Sequence, residues 1–185
     1  MKENFFTRKS KALDVAYIAM SIALITVCSW ISFKVQMQNY TLQLLAVLFV
    51  SGVLGWKRAV IAVSVYTLMG LIGIPVFAGF SAGPTMTTGY VVGFIFTALI
   101  VGLAVRLWGY KLYVVIPAMI LGVLVCYIFG TAWFIPFFNH ANAGSGKTMS
   151  VASAISICIL PYLWFDAIKI AIAGILVNRL HRYIR

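Results

Sequence analysis

Charged side chains are nearly absent from long stretches of this chain, and that property fixes its fold class. Apolar runs fill about 13–33, 42–56, 59–74, 91–107, 113–134 and 151–177, parted by short polar or basic clusters. A helix of about 20 apolar residues crosses the hydrocarbon core of a bilayer. Helices suit that solvent because they satisfy their own backbone hydrogen bonds. Only 9% of the 185 residues are charged, against about 25% in soluble domains. The expected fold is all-α, a single transmembrane domain over 1–185 built as an integral membrane bundle of six transmembrane helices in contact with the lipid bilayer. The run at 42–56 is short for a full span and is expected to be tilted or partly interfacial. The first run begins like a signal peptide. It is too long for an apolar signal core and no small-x-small cleavage site follows, so a retained helix is expected.

The net charge of +11 raises nucleic acid as a partner. The bases are scattered in interhelical clusters and the aromatics sit in apolar runs, so nucleic-acid binding is rejected. Membrane topology accounts for the charge better. With six spans, Lys2, Arg8, Lys9, Lys11, Lys57, Arg58, Arg106, Lys111, Arg179, Arg182 and Arg185 fall on one side, and only Lys34 and Lys147 on the other. That bias puts both termini in the cytoplasm and the loop before residue 90 outside. Cys28, Cys126 and Cys158 lie in apolar runs without CxxC spacing, and His140 and His181 stand alone. Neither a metal site nor a disulfide framework is indicated.

The chain has three acids, Glu3, Asp14 and Asp166, and Asp166 is the one deep in apolar sequence. Lys169 follows three residues later, and on a helix such a pair lies about 60° apart, on one face. Tyr162, four residues earlier, shares that face. A charge at mid-bilayer costs roughly 2.5–3.5 kcal/mol on insertion scales, so it faces a partner or a cavity. Two readings stand: an Asp–Lys pair that neutralises itself, or a polar ligand site inside the bundle. Pro161, inside the same run, is expected to kink the helix and free a carbonyl near the Asp166 turn.

Two further stretches carry signals. Ala12, Ala16, Ala19 and Ala23 lie three or four apart on the first helix, a spacing that permits close helix approach in lipid and marks a packing or partner-docking face. The loop at 76–90 carries no charge and is rich in glycine, which allows the backbone to approach a ligand closely. The segment 141–148, Ala-Asn-Ala-Gly-Ser-Gly-Lys-Thr, nearly matches a phosphate-binding loop. Such a loop needs a strand before it and an acid for magnesium. Here a membrane helix precedes it, so any ATPase that energises transport is another polypeptide.

With Tyr40-Thr-Leu-Gln43, Gly70-Leu-Ile-Gly-Ile-Pro75-Val-Phe-Ala-Gly79, Thr88-Gly89-Tyr90-Val-Val-Gly93-Phe94 and Asp166-Ala-Ile-Lys169 in this order, nearly the whole chain resembles the BioY family. Those are the biotin-binding S components of energy-coupling-factor (ECF) transporters. The resemblance implies a six-helix protein of the cell membrane that binds biotin from outside and uses no cofactor. It also implies partnership with a transmembrane coupling protein and two cytoplasmic ATPases, the alanine face of the first helix being the docking surface. Gln43, Tyr90, Asp166 and Lys169 match motif positions associated with the ligand pocket. The loop departs from the family pattern in placing Met86-Thr87-Thr88 between Gly83-Pro84-Thr85 and Gly89-Tyr90.

Biotin has a cyclic urea, an apolar thioether ring and a carboxylated tail. Asp166 can accept from the urea N–H groups and Lys169 can donate to its carbonyl. Tyr90 and the loop backbone at Gly79 and Ser81 are the expected cover for ring and tail, whereas Trp164 faces elsewhere on the helix. The alternatives are an S component for another biotin-like or small carboxylated vitamin, an intramembrane enzyme using Asp166 as acid or base, and an assembly scaffold. The enzyme reading lacks a second acid, a nucleophile dyad or metal ligands.

Overall fold

The computed structural model describes residues 8–35, 38–144 and 148–181. Seven α-helices, one two-stranded hairpin and a short 3₁₀ turn account for the regular structure of these residues. The elements are α1 (Arg8–Trp30), β1 (Ser32–Val35), β2 (Gln38–Thr41), α2 (Gln43–Leu54), α3 (Trp56–Leu71), the 3₁₀ turn Ala78–Phe80, α4 (Thr88–Trp108), α5 (Leu112–Ala141), α6 (Val151–Cys158) and α7 (Leu160–Leu180). Four helices are long and apolar enough to cross a membrane: α1 from Lys11, α4, α5 and α7. The other two expected spans form α2 and α3, with 12 and 16 residues. The exteriors of α1, α5 and α7 fit lipid as the surrounding medium, since Met20, Ile128 and Leu163 are 68%, 67% and 52% exposed.

Three local outcomes differ from the sequence reading. The polar link after the first run forms an antiparallel hairpin with Ser32 opposite Thr41 and Phe33 opposite Tyr40. The Phe33 and Tyr40 rings stack across the strands at 5.3 Å, the kind of cross-strand pair that stabilises a short ladder. The last apolar run is two helices rather than one kinked span, broken at Ile159. Pro161 falls in the first turn of α7, where its missing N–H leaves no helix bond unmade, so it starts a helix instead of bending one. Finally, α5 runs to Ala141 and holds 30 residues, about 45 Å at 1.5 Å each, well beyond a core of about 30 Å. Its far end is stabilised off the main core by Phe134 and Phe138, which pack with Met149, Ala154 and Cys158 of the following segment.

The main core joins residues of α1 to α5 and α7. The most extensive helix contact is that of α4 with α5. A Cβ on Gly93 would lie 2.8 Å from the Cys126 Cα, so the two backbones meet where a side chain is missing. Thr97 donates its hydroxyl to the Gly122 carbonyl at 2.8 Å across the same seam. Several bases gather at the opposite end from the hairpin, which itself carries Lys34. There Arg58 of α3 pairs with Asp14 of α1 and lies 5.7 Å from the Tyr17 ring centre. Arg106 sits 5.9 Å from the Trp56 ring centre, and Asn178 of α7 donates to the Tyr110 carbonyl at 3.0 Å. Lys2, Lys147, Arg182 and Arg185 lie outside the described residues, as does the Ser145–Lys147 part of the phosphate-loop lookalike. What precedes that lookalike is the last turn of a helix, not a strand.

Candidate ligand-binding site

Helical periodicity builds the centre of the site. Tyr162, Asp166 and Lys169 fall on one face of α7 and are 8%, 5% and 5% exposed, while Trp164 on the other side is 63% exposed. The Lys169 Nζ donates to Asp166 Oδ1 at 2.7 Å. The second carboxylate oxygen, Oδ2, accepts from the Tyr127 hydroxyl of α5 at 2.6 Å. Two opposite formal charges and a neutral donor therefore share one buried group, which is how an apolar interior tolerates ionised side chains. Each carboxylate oxygen keeps a lone pair and the ammonium keeps protons, so the centre can both accept from and donate to a ligand. The Phe165 ring centre lies 4.6 Å from Nζ and partly covers the cation.

This centre opens into a cavity of about 90 Å³. Its wall brings together elements far apart in sequence: Thr41 at the end of the hairpin, Gln43 and Leu44 of α2, Phe77 and Ala78 of the loop, Thr87, Tyr90, Val91 and Phe94 around the start of α4, Cys126 and Tyr127 of α5, Cys158 of α6, and the α7 face. Near its rim the hairpin closes onto α7. The Tyr40 ring stacks on Tyr162 at 4.2 Å, its hydroxyl donates to the Pro161 carbonyl at 3.3 Å, and Phe165 meets it edge-on at 5.6 Å. The lining is thus an aromatic and aliphatic shell around one ionic centre, suited to an apolar ring that carries a polar head.

Of the six residues expected at a ligand site, Gln43, Tyr90, Asp166 and Lys169 lie together on this wall. Tyr90 rests against Gly130, where a Cβ would overlap its ring, and its carbonyl accepts from the Cys126 thiol at 3.4 Å. Gly79 and Ser81 are in the adjoining loop but do not line the cavity. Gly79 is exposed, and the Ser81 hydroxyl turns inward on its own loop to the Ala78 carbonyl at 2.8 Å. The loop side of the wall is made by Phe77, Ala78 and Thr87 instead. The loop tip docks on α1: Phe80 stacks on Trp30 at 4.7 Å, and the Trp30 indole N–H donates to the Pro75 carbonyl at 3.0 Å. Sequence reasoning missed Tyr127. Its one signal was a tyrosine in the middle of an apolar span, where a buried phenol needs a partner.

Ala12, Ala16, Ala19 and Ala23 are all exposed on α1. Ala23 also borders an apolar groove of about 510 Å³ between α1 and α2, with Tyr17, Met20, Leu24, Val27 and Phe49 along it.

These features define an integral membrane protein, a helical bundle around a cavity with a buried Asp–Lys–Tyr centre. A solved structure of the same fold, the crystal structure at 2.1 Å of the S-component for biotin from an ECF-type ABC transporter, superposes with a TM-score of 0.80 over 96% of this chain and 95% of that one, at 22% identity. The biotin transporter BioY of Thermotoga maritima is 34% identical over 165 residues, which cover 86% of this chain and 90% of that protein. The probable biotin transporter BioY of Pyrococcus horikoshii is 33% identical over 92% of this chain and 97% of its own. The family model described as BioY family matches residues 1–185. The chain belongs to the BioY family.

Proposed function

We propose that this chain is the membrane-embedded substrate-binding subunit of an ATP-driven ECF transporter, which captures biotin from outside the cell. One observation carries the reading. The Asp166 carboxylate and Lys169 ammonium stand 2.7 Å apart in a mostly apolar cavity, presenting acceptor and donor side by side. A cyclic urea shows the complementary pattern, two N–H groups flanking one carbonyl, and its fused thioether ring suits the aromatic shell. The family membership and the names of the relatives support the same ligand. The chain binds and hands over its solute without changing it, so it is a transporter subunit and not an enzyme.

The remaining parts follow from this role. The chain sits in the cell membrane with six spans, α1 to α5 and α7, and both termini in the cytoplasm. Support comes from the clustering of Arg58, Arg106 and the α4–α5 turn at one end of the bundle, with the hairpin and the loop residues that line the cavity toward the other. Asp166, Lys169, Gln43 and Tyr90 contact the ligand, with Gly79 and Ser81 shaping the loop beside it. The exposed alanine face of α1 docks a transmembrane coupling protein that works with two cytoplasmic ATPases, since small exposed side chains let a partner helix approach closely. The test is equilibrium binding of radiolabelled biotin by the purified chain alone, in competition with a panel of carboxylated vitamins. Saturable biotin binding without ATPase subunits is expected. Retention of another vitamin in preference to biotin would replace the ligand, and retention of none would leave a scaffold.

A further inference from the structure

We propose that Tyr66 is a positioning residue that fixes the amide of Gln43 with its oxygen toward the pocket, so that Gln43 acts as a hydrogen-bond acceptor for the ligand head. The inference rests on the biotin reading and extends it to the polarity of a second wall.

The argument is one of proton direction. Tyr66 of α3 is fully buried, and its hydroxyl lies 2.9 Å from the Val76 carbonyl. A carbonyl oxygen can only accept, so the phenolic proton points at Val76. The hydroxyl oxygen then has only lone pairs to offer its other neighbours, the Ser29 hydroxyl and the Gln43 side chain, the latter 2.8 Å away. Gln43 must turn its NH₂ group to Tyr66, because the opposite orientation sets two oxygens together with no proton between them. This is the one hydrogen bond of the Gln43 side chain among the described residues. Gln43 opens α2, is 5% exposed and lines the cavity, so its amide oxygen is the group left for a ligand. The pocket then offers acceptors from two helices, Gln43 on α2 and Asp166 on α7, around the cation of Lys169. That polarity selects a head with two N–H donors and one carbonyl. It also ties the recognition of the ligand to the loop after α3, because the chain of bonds ends on Val76.

A purely structural role for Tyr66, holding the loop through Val76, predicts different results. The chain has three glutamines, Gln36, Gln38 and Gln43, so glutamine labelled with ¹⁵N at Nε2 and ¹³C at Cδ gives few signals, and Gln43→Leu assigns the one of interest. In the unaltered protein the Gln43 amide protons are expected to exchange with solvent at least about 10-fold more slowly than in Tyr66→Phe. Adding biotin should move the Gln43 ¹³Cδ resonance while the NH₂ signal stays put, a measurement that needs no variant at Tyr66. Biotin affinity is then compared for Tyr66→Phe, Gln43→Leu and the double variant. Tyr66→Phe should weaken binding about 3- to 10-fold, and should add nothing once Gln43 is leucine. Equal weakening in both backgrounds, exchange indifferent to the Tyr66 hydroxyl, or a biotin-induced shift at the NH₂ rather than the carbon would each overturn the assignment. Failure of the unaltered chain to bind biotin would instead remove the ligand reading, while the exchange rates would still decide how the amide is turned.

Discussion

Among the described residues the molecule holds two acid–base pairs, and they differ in almost everything except chemistry. Asp14 and Arg58 join α1 to α3 at the basic end of the bundle, with the arginine side chain 35% exposed. Asp166 and Lys169 sit one turn apart on a single helix, each side chain 7% exposed, beside a cavity. The first pair links two helices and needs no third party; its arginine reaches solvent and an aromatic ring. The second pair joins two residues of one helix, and only the Tyr127 hydroxyl ties its carboxylate to a neighbour, α5. What it adds is a charged, bifunctional surface in an apolar chamber. Position within the bundle, not residue type, separates a clamp from a binding centre.

Asp166→Asn should make the difference plainest. It keeps the size of the side chain but removes the charge proposed to meet the ligand, and losing a hydrogen bond to a charged group costs about 1.5–3 kcal/mol. Biotin should bind about 10- to 150-fold more weakly, since 1.4 kcal/mol is tenfold. The same change leaves Lys169 buried without its counter-charge, so thermal stability falls as well, and Lys169→Met in the same chain should restore it. Stability recovering while binding stays lost is the expected result for the double variant. Recovery of both would make this pair a clamp like the other.

Ala16→Trp addresses the outer face of α1. Bulk at a close helix contact costs on the order of 1–3 kcal/mol, so assembly with the coupling partner should weaken about tenfold or more while biotin binding by the isolated chain is unchanged. Loss of biotin binding with assembly intact would reverse the assignment. Tyr127→Phe removes one of the two bonds that hold the Asp166 carboxylate, and should lower stability by about 1–2 kcal/mol and biotin affinity by less than about tenfold, measured by thermal melts and titration. Smallest of all is Asp14→Asn. A partly solvated ion pair contributes about 0–1 kcal/mol, so the melt should move little and the biotin titration not at all. An effect of Asp14→Asn on biotin affinity as large as that of Asp166→Asn would erase the contrast between the pairs.

The centre of the site was legible because it is local. Residues 162, 166 and 169 share a face by helical period alone, and an unpaired charge in lipid demands an explanation. Tyr127 was not legible, since it reaches Asp166 across 39 residues and nothing in an apolar run says which neighbour it will meet. Pro161 was misplaced for a related reason. Hydropathy reads 151–177 as continuous, and a proline suits the start of a helix as readily as it bends the middle of one. The hairpin escaped because its strands have four residues each and draw their stability from Phe33, Tyr40 and the α7 aromatics rather than from their own alternation. The glycine loop was flagged as a whole, yet only its Phe77 and Ala78 end and Thr87 reach the wall, a matter of how the tip folds back on Trp30.

Gly130 sits on α5 behind the Tyr90 ring, and a methyl group there would occupy the place of that ring. The ring would have to tilt forward, into the chamber. The bore of the chamber is therefore gauged from the rear, by an atom that is missing at a position outside the cavity wall. Swapping hydrogen for carbon at that one point would narrow the room available to a guest without altering a single polar group that greets it.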